Sequence, residues 1–234
     1  MNSKTKALGL ALIAALALSS VSAMAAQANK VTAGKYPAVV TGKDANTEHG
    51  KLARLTIGNG ARFLECTTVT LGAELTEAAT KVTVTPTFSG CFANGLTAVP
   101  GTLTMSGCVF TVEATSKATA QAFVTCSAGA SIEVHVYENA TRHAENVPLC
   151  TYDIAAQGPI TGAKLGVING GAANEGISVN LVELGKFNVT STKGPLAVCG
   201  VNATSGHAAT TASLRGEYLL SGKSGGVDTP IMIQ

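Results

Sequence analysis

The chain has no tryptophan, four tyrosines and charged side chains at only 13% of its 234 positions. These shortages argue against several functions at once. Sugar sites draw their contact area from amphipathic aromatic faces, and Tyr36, Tyr137, Tyr152 and Tyr218 are too few and too scattered to form a flat platform. Single-stranded nucleic acid needs stacking faces and positive charge together, and the formal net charge is only +2. Two of the basic residues, Lys4 and Lys6, sit in a segment expected to be removed, which leaves the mature chain near neutrality with no field for nucleic acid or anionic lipid. Aspartate is confined to Asp44, Asp153 and Asp228, and no glutamate lies in an aromatic-rich stretch of the kind that lines a glycosidase cleft. No C-x-x-C occurs, and the cysteine spacings fit no zinc ribbon, so no metal or other cofactor is expected.

What is present begins at the amino end. Lys4 and Lys6 precede an apolar run from Ala7 to Leu18, then Ser19, Ser20 and a small-residue exit at Val21-Ser22-Ala23 or Ala23-Met24-Ala25. A charged n-region, a short h-region and an A-x-A-like site are the parts of a secretory signal peptide. The run is too short to span a bilayer. Residues 1–25 therefore read as a leader, and the rest as a secreted, periplasmic or cell-envelope chain with no membrane span after cleavage. No cysteine follows the leader directly, which excludes a lipidated amino terminus.

About 210 residues remain, enough for a substantial core without cross-links. Six cysteines lie in this part: Cys66, Cys91, Cys108, Cys126, Cys150 and Cys199. In an oxidising compartment an even set of this kind predicts three disulfides. Fifteen pairings are open. A sequential assignment joins Cys91 to Cys108 and Cys126 to Cys150 and leaves Cys66 for Cys199, although simple hairpin registers place neither sequential pair directly opposite.

Residues 26–50 are polar and small, and read as an arm with one short strand at Tyr36 to Thr41. Residues 51–234 read as a single domain, with two packed subdomains as the alternative. There the period is two. Val82, Val84, Pro86 and Phe88 alternate with threonines and Ser89; Ile132, Val134 and Val136 alternate with Glu133, His135 and Tyr137. Ile177 to Val182 and Ser213 to Leu220 repeat the pattern. This is the mark of half-buried antiparallel sheet, and the abundance of Thr and Val suits it. Further strands are predicted at Leu52–Ile57, Arg62–Leu71, Thr102–Val112, Ala118–Cys126, Leu149–Ile154, Lys164–Ile168, Phe187–Thr192 and Ala197–Val201. Pro86 lacks a ladder donor, so its strand is expected at an edge or at a bulge. Only Ala73 to Thr80 competes with local helical propensity. The fold class is all-β: an antiparallel, disulfide-stapled β-sandwich-like domain, with an open β-barrel as the alternative.

Thr87-Phe88-Ser89-Gly90-Cys91 returns as Thr104-Met105-Ser106-Gly107-Cys108. Both copies interrupt an alternating run, as expected where glycine lets the backbone turn beside a disulfide. These segments, with Tyr36-Pro37-Ala38, Leu64-Glu65-Cys66, Cys108-Val109-Phe110, Cys126 and its glycine turn, Ile132-Glu133-Val134, and Cys150 ahead of Ala156-Gln157, carry a resemblance over most of residues 31–225. The chain resembles a group of exported, cysteine-containing, β-rich bacterial proteins of uncharacterised function. The resemblance implies bacterial export and a common fold, and it assigns no catalytic or binding residue.

Two constellations could carry chemistry. Glu133, His135 and Tyr137 share a strand face, with Glu138, His143 and Glu145 just beyond, a set able in principle to hold a metal or move protons. The plainer reading, a solvated strand face and a polar loop, is preferred. His49 and His207 stand alone in loops of small residues. Gly222-Lys223-Ser224-Gly225-Gly226 matches G-x-S-x-G, but no helix and no acid–histidine pair can follow it in the few residues left. The same stretch lacks the spacing and the helix of a phosphate loop. Asn139, Asn188 and Asn202 begin N-x-T triplets expected by chance in a threonine-rich chain. The expected role is a non-catalytic structural or interaction module, with a cell-surface or extracellular protein or polysaccharide as its partner. The rivals are a secreted hydrolase whose site assembles only in three dimensions, and an adhesin or pilus-like subunit completed by a donated strand.

Overall fold

The computed structural model describes residues 29–44, 52–58, 62–94, 98–116, 119–160, 164–169, 177–194, 199 and 208–234, with backbone alone at 44, 164–169, 177–186 and 208–209. The signal segment, His49, Asn202 and His207 lie outside the described residues, as does the strand expected at Ala197–Val201 apart from Cys199.

The strands are β1 Val31–Ala33, β2 Ala38–Asp44, β3 Ala53–Ile57, β4 Arg62–Leu75, β5 Lys81–Ala93, β6 Pro100–Thr104, β7 Cys108–Ala114 and β8 Ala120–Cys126. They continue as β9 Ile132–Val136, β10 Cys150–Ile154, β11 Lys164–Asn169, β12 Ile177–Lys193, β13 Ala208–Ser224, β14 Val227–Thr229 and β15 Ile231–Ile233. A single short helix among the described residues, α1, spans Ala140–Ala144. The all-β, antiparallel, disulfide-stapled expectation holds.

The pairings run in a circuit. β4 pairs β3, β3 pairs β13, and β13 pairs β12. From β12 the ladder passes through β10, β9 and β6 to β5, and β5 pairs β4 again. Every pairing is antiparallel. The residues expected as an arm are built into this frame. β2 occupies the same slot as β3, further along, between β4 at Ala38↔Leu75 and β13 at Gly42↔Leu220. β1 pairs β15 at the other end of the chain.

β5 is where the sheet forks. Lys81–Val84 pair with β7, which carries β8, whereas Cys91 and Phe92 pair with β6. Between the two partners lies Pro86, held only by β4 through Leu71. A residue that cannot donate a ladder bond thus sits where one side of the strand needs no donor. Near the same place the alternation slips. Phe88 packs on the core and the next core residue is Cys91, while Ser89 and Gly90 are both exposed. On β4 the core residues Cys66 and Val69 likewise flank two exposed threonines. Gly90 makes this possible with φ +61, and its place opposite the Thr67 side chain leaves no room for a Cβ.

Three expectations are corrected. Thr102–Val112 is two strands, because Ser106 and Gly107 turn through φ 38 and φ 80 between them. The helical propensity of Ala73–Thr80 is overridden: β4 runs on to Leu75, which is buried, while Ala73 packs alongside it. The disulfides are Cys66–Cys91, Cys108–Cys126 and Cys150–Cys199, not the sequential set. Cys66 faces Cys91 across β4 and β5, and Cys108 faces Cys126 across β7 and β8, with Cα separations of 3.9 and 4.0 Å. Strand register, which brings opposed Cα atoms within disulfide reach, decided these two pairs. The helix α1 was not anticipated. Asn139 caps it, its side chain accepting from the Arg142 amide at 3.0 Å.

Apolar side chains gather into two clusters. The larger spans the circuit and includes Leu55, Leu64, Val69, Val134, Tyr152, Phe187 and Leu214. The smaller joins Ala38, Val40, Leu75, Val82 and Ala114 to the terminal Ile231 and Ile233.

Candidate functional site

Between the two clusters lies a cavity of about 130 Å³. β2 supplies Val40, β4 supplies Leu71, Ala73 and Leu75, and β5 supplies Val82, Val84 and Phe88. Phe110, Val112, Ala120 and Ala122 come from the β7–β8 pair, and Ile231 and Ile233 close the side formed by β15. Among the described lining residues the Tyr218 hydroxyl is the single side-chain polar group. The void follows from the choice of small residues at inward positions. Ala73, Ala120 and Ala122 stand where the strand period demands a core side chain, and each stops at Cβ. Close-packed interiors hold few voids larger than a water molecule, and a hydrocarbon wall of this kind leaves water without partners.

Below the cavity a second void of about 10 Å³ is lined by Leu55, Leu103, Val124, Ile132, Ile154 and Phe187. Phe88, Phe110 and Leu214 border both spaces and are the partition between them. An outer hollow of about 550 Å³ also exists over Thr41, Lys43, Thr70, Thr85, Thr87 and Ser221. Its hydroxyls sit on the exposed face of β2, β4, β5 and β13, where those of Thr41 and Ser221 lie 3.4 Å apart.

The residues singled out in the sequence lie elsewhere. Glu133 and His135 project from β9 on the face opposite the core residues Ile132 and Val134, beside Asp153 and Thr151 of β10. Tyr137 is 2% exposed, packed beside α1. It donates to Asn146 Oδ1 at 2.9 Å, lies 3.4 Å from His135 Nδ1, and meets the His143 ring at 4.7 Å between centroids. The structure therefore brings His135, Tyr137 and His143 together as a packing cluster. Glu138 and Glu145 are exposed, and Glu145 pairs with Arg142 at 3.0 Å. No group of three or more His, Cys, Asp or Glu among the described residues is placed to hold a metal. The six cysteines are all consumed in disulfides. Gly225 and Gly226, with φ +59 and +82, are the two-residue turn joining β13 to β14, the hairpin geometry that favours glycine. Gln157, named in the sequence without a role, accepts from the Asn188 amide at 2.7 Å and donates to the Asn188 carbonyl at 3.0 Å through its side chain, extending the ladder onto β12. The Tyr152 phenol is pushed up to about 12 by burial, with the Arg62 charge pulling the other way.

The cavity escaped the sequence reading as well. Inward alanines and valines look like any core, and only the β5 fork shows that they surround a space. No helix among the described residues is long and apolar enough to cross a membrane. Comparison with family models, curated proteins and solved structures found no match for the chain.

Proposed function

We propose that this is an exported, non-catalytic interaction protein of the bacterial envelope or extracellular space, and that it holds a small apolar molecule in the cavity between its two cores. One observation carries the binding reading: a cavity walled by hydrocarbon, with a lone hydroxyl at Tyr218, inside a frame cross-linked by three disulfides. Such a wall offers shape and dispersion but no acid, base or nucleophile set. A hydrolase would need Glu133, His135 or His143 at the cavity, and they stand on other surfaces. A donated-strand subunit would need a gap in the sheet, whereas the circuit from β4 back to β4 is paired at every step. Export rests on the leader-like amino end, and the three disulfides agree with an oxidising compartment.

The test has two arms. The protein is recovered from cell fractions and its amino terminus sequenced; a start near residue 26 in the envelope or medium is expected, and a start at Met1 in the cytosol removes the export reading. The oxidised protein is then heated in the presence of benzene, toluene, cyclohexane and the n-alkylbenzenes. A ligand that binds only the folded state raises Tm, so at least one of these solutes is expected to do so. A flat response to all of them ends the binding reading.

A further inference from the structure

The site proposed above has a definable capacity, and the inference here rests on that proposal. We infer that the cavity accepts one compact apolar group of about six carbons, and that Phe88 and Phe110 set this limit as the floor beneath it.

The size argument comes from volume. A dry apolar cavity of about 150 Å³ takes up benzene, and this one measures about 130 Å³. A six-membered ring or a short branched alkyl group fits, and a long chain does not. The chemistry argument comes from the wall. With Tyr218 as the single polar side chain among the described lining residues, a ligand carrying a charge or several hydroxyls would leave them unpaired on entry. The depth argument comes from the partition. Phe88 from β5 and Phe110 from β7 line both the cavity and the small void below it, as does Leu214 from β13. The lower void is already bounded by Leu103, Val124 and Ile132. Removing one ring of the floor joins the two spaces and leads deeper into the main core. Ala73 is the complementary position. It stands on β4 opposite Val40, its side chain ends at Cβ, and a longer one enters the cavity directly.

The experiment measures affinities of the full oxidised protein for toluene and for n-hexylbenzene by titration calorimetry. The native chain is expected to bind toluene at least tenfold more tightly. Ala73→Leu should weaken toluene at least tenfold, with its far-UV circular dichroism and absence of free thiols unchanged. Phe110→Ala should tighten n-hexylbenzene at least tenfold while keeping toluene. If Phe110→Ala fails to fold, Phe88→Leu, which shortens the floor without deleting it, should move the same preference in the same direction. Preference of the native chain for n-hexylbenzene overturns the size limit while leaving the binding function intact. Toluene affinity unmoved by Ala73→Leu places the binding elsewhere and overturns the assignment of the cavity.

Discussion

Tyr152 holds Cys199 by a hydrogen bond set beside a disulfide. The Tyr152 hydroxyl donates to the Cys199 carbonyl at 2.5 Å, and the Cys199 sulfur is bonded to Cys150, two residues before Tyr152 on the same strand. Both strand residues are buried, so β10 grips a single distant residue with a covalent and a polar contact side by side.

That arrangement predicts an alkaline limb in stability. Burial raises the Tyr152 phenol from 10.0 to about 12 in the folded protein. The folded state therefore keeps its proton where the unfolded chain releases it, so stability falls as pH rises between about 10 and 12 and is complete below 10. The loss is on the order of 2 kcal/mol. Tyr152→Phe should cost about 1 kcal/mol at neutral pH through the orphaned carbonyl and should flatten this limb. Urea unfolding at pH 7, 10 and 11 reads both effects.

The disulfides should be complete and unequal. Thiol titration of denatured, unreduced protein is expected to find essentially no reactive sulfur, because all six cysteines are paired. Loop closure favours the longer loop, and the separations are 49, 25 and 18 residues for Cys150–Cys199, Cys66–Cys91 and Cys108–Cys126. Replacing each pair by serine should cost about 2 to 4 kcal/mol in that descending order. Denaturation midpoints of the three double variants test the ranking.

Two left-handed glycines make a controlled comparison. Gly90 and Gly129 have φ +61 and +77. An added Cβ meets the Thr67 side chain at Gly90 and nothing within 4 Å at Gly129. Gly129→Ala should cost about 1 kcal/mol from backbone strain alone. Gly90→Ala should cost clearly more, and Thr67→Ala in the same chain should recover part of the difference. Thermal unfolding of the three variants and the parent decides it.

Arg54 and Glu65 form a further linked pair. They face each other across β3 and β4, with Arg54 Nε donating to Glu65 Oε1 at 2.8 Å and Nη2 reaching the same oxygen. Glu65 is fully buried, and the guanidinium lies 3.8 Å from the centre of the Phe63 ring. Removing one partner of a buried pair is costly because the other charge stays behind. Arg54→Met should lower stability by about 3 kcal/mol. Arg54→Lys should recover only part of that, since an ammonium lacks the planar fork that stacks and donates together. Equilibrium urea unfolding of both variants is the measurement.

Much of the frame could be read from residue order because a two-residue period and turn chemistry are local. The alternation of Val82 to Phe88 and of Ile132 to Val136 marked β5 and β9, and Gly225-Gly226 marked a break. What depends on the partner strand could not be read. Register, unknown until β4 meets β5, put Cys66 opposite Cys91. Ile177–Val182 and Phe187–Thr192 read as separate runs in the sequence, but β12 runs through both, with register shifts against β13 at Leu184. Pro86 signalled an edge or a bulge, and it lies at the fork of β5, paired with Leu71 of β4 on one side. The cavity was hidden for the same reason: three alanines on β4 and β8 become a void only when β5 takes β4 on one side and β7, with β8 beyond it, on the other. Glu133, His135 and His143 read as a strand face and a polar loop, and what residue order cannot show is that Tyr137 packs against both histidines.

The terminal ribbon has a consequence for how the molecule is made. Thr32 and Met232 are partners in register, with 200 positions between them. A ribosome therefore releases β1 long before β15 exists, and although Val31 also bridges Ala79, its ladder to Ile233 must wait while the strands between are made. Ile231 and Ile233, which follow β1 by about 200 positions, are also the ones that shut the side of the hydrocarbon chamber. Sealing thus waits for β15, and a nascent chain stalled ahead of that strand would present its chamber open.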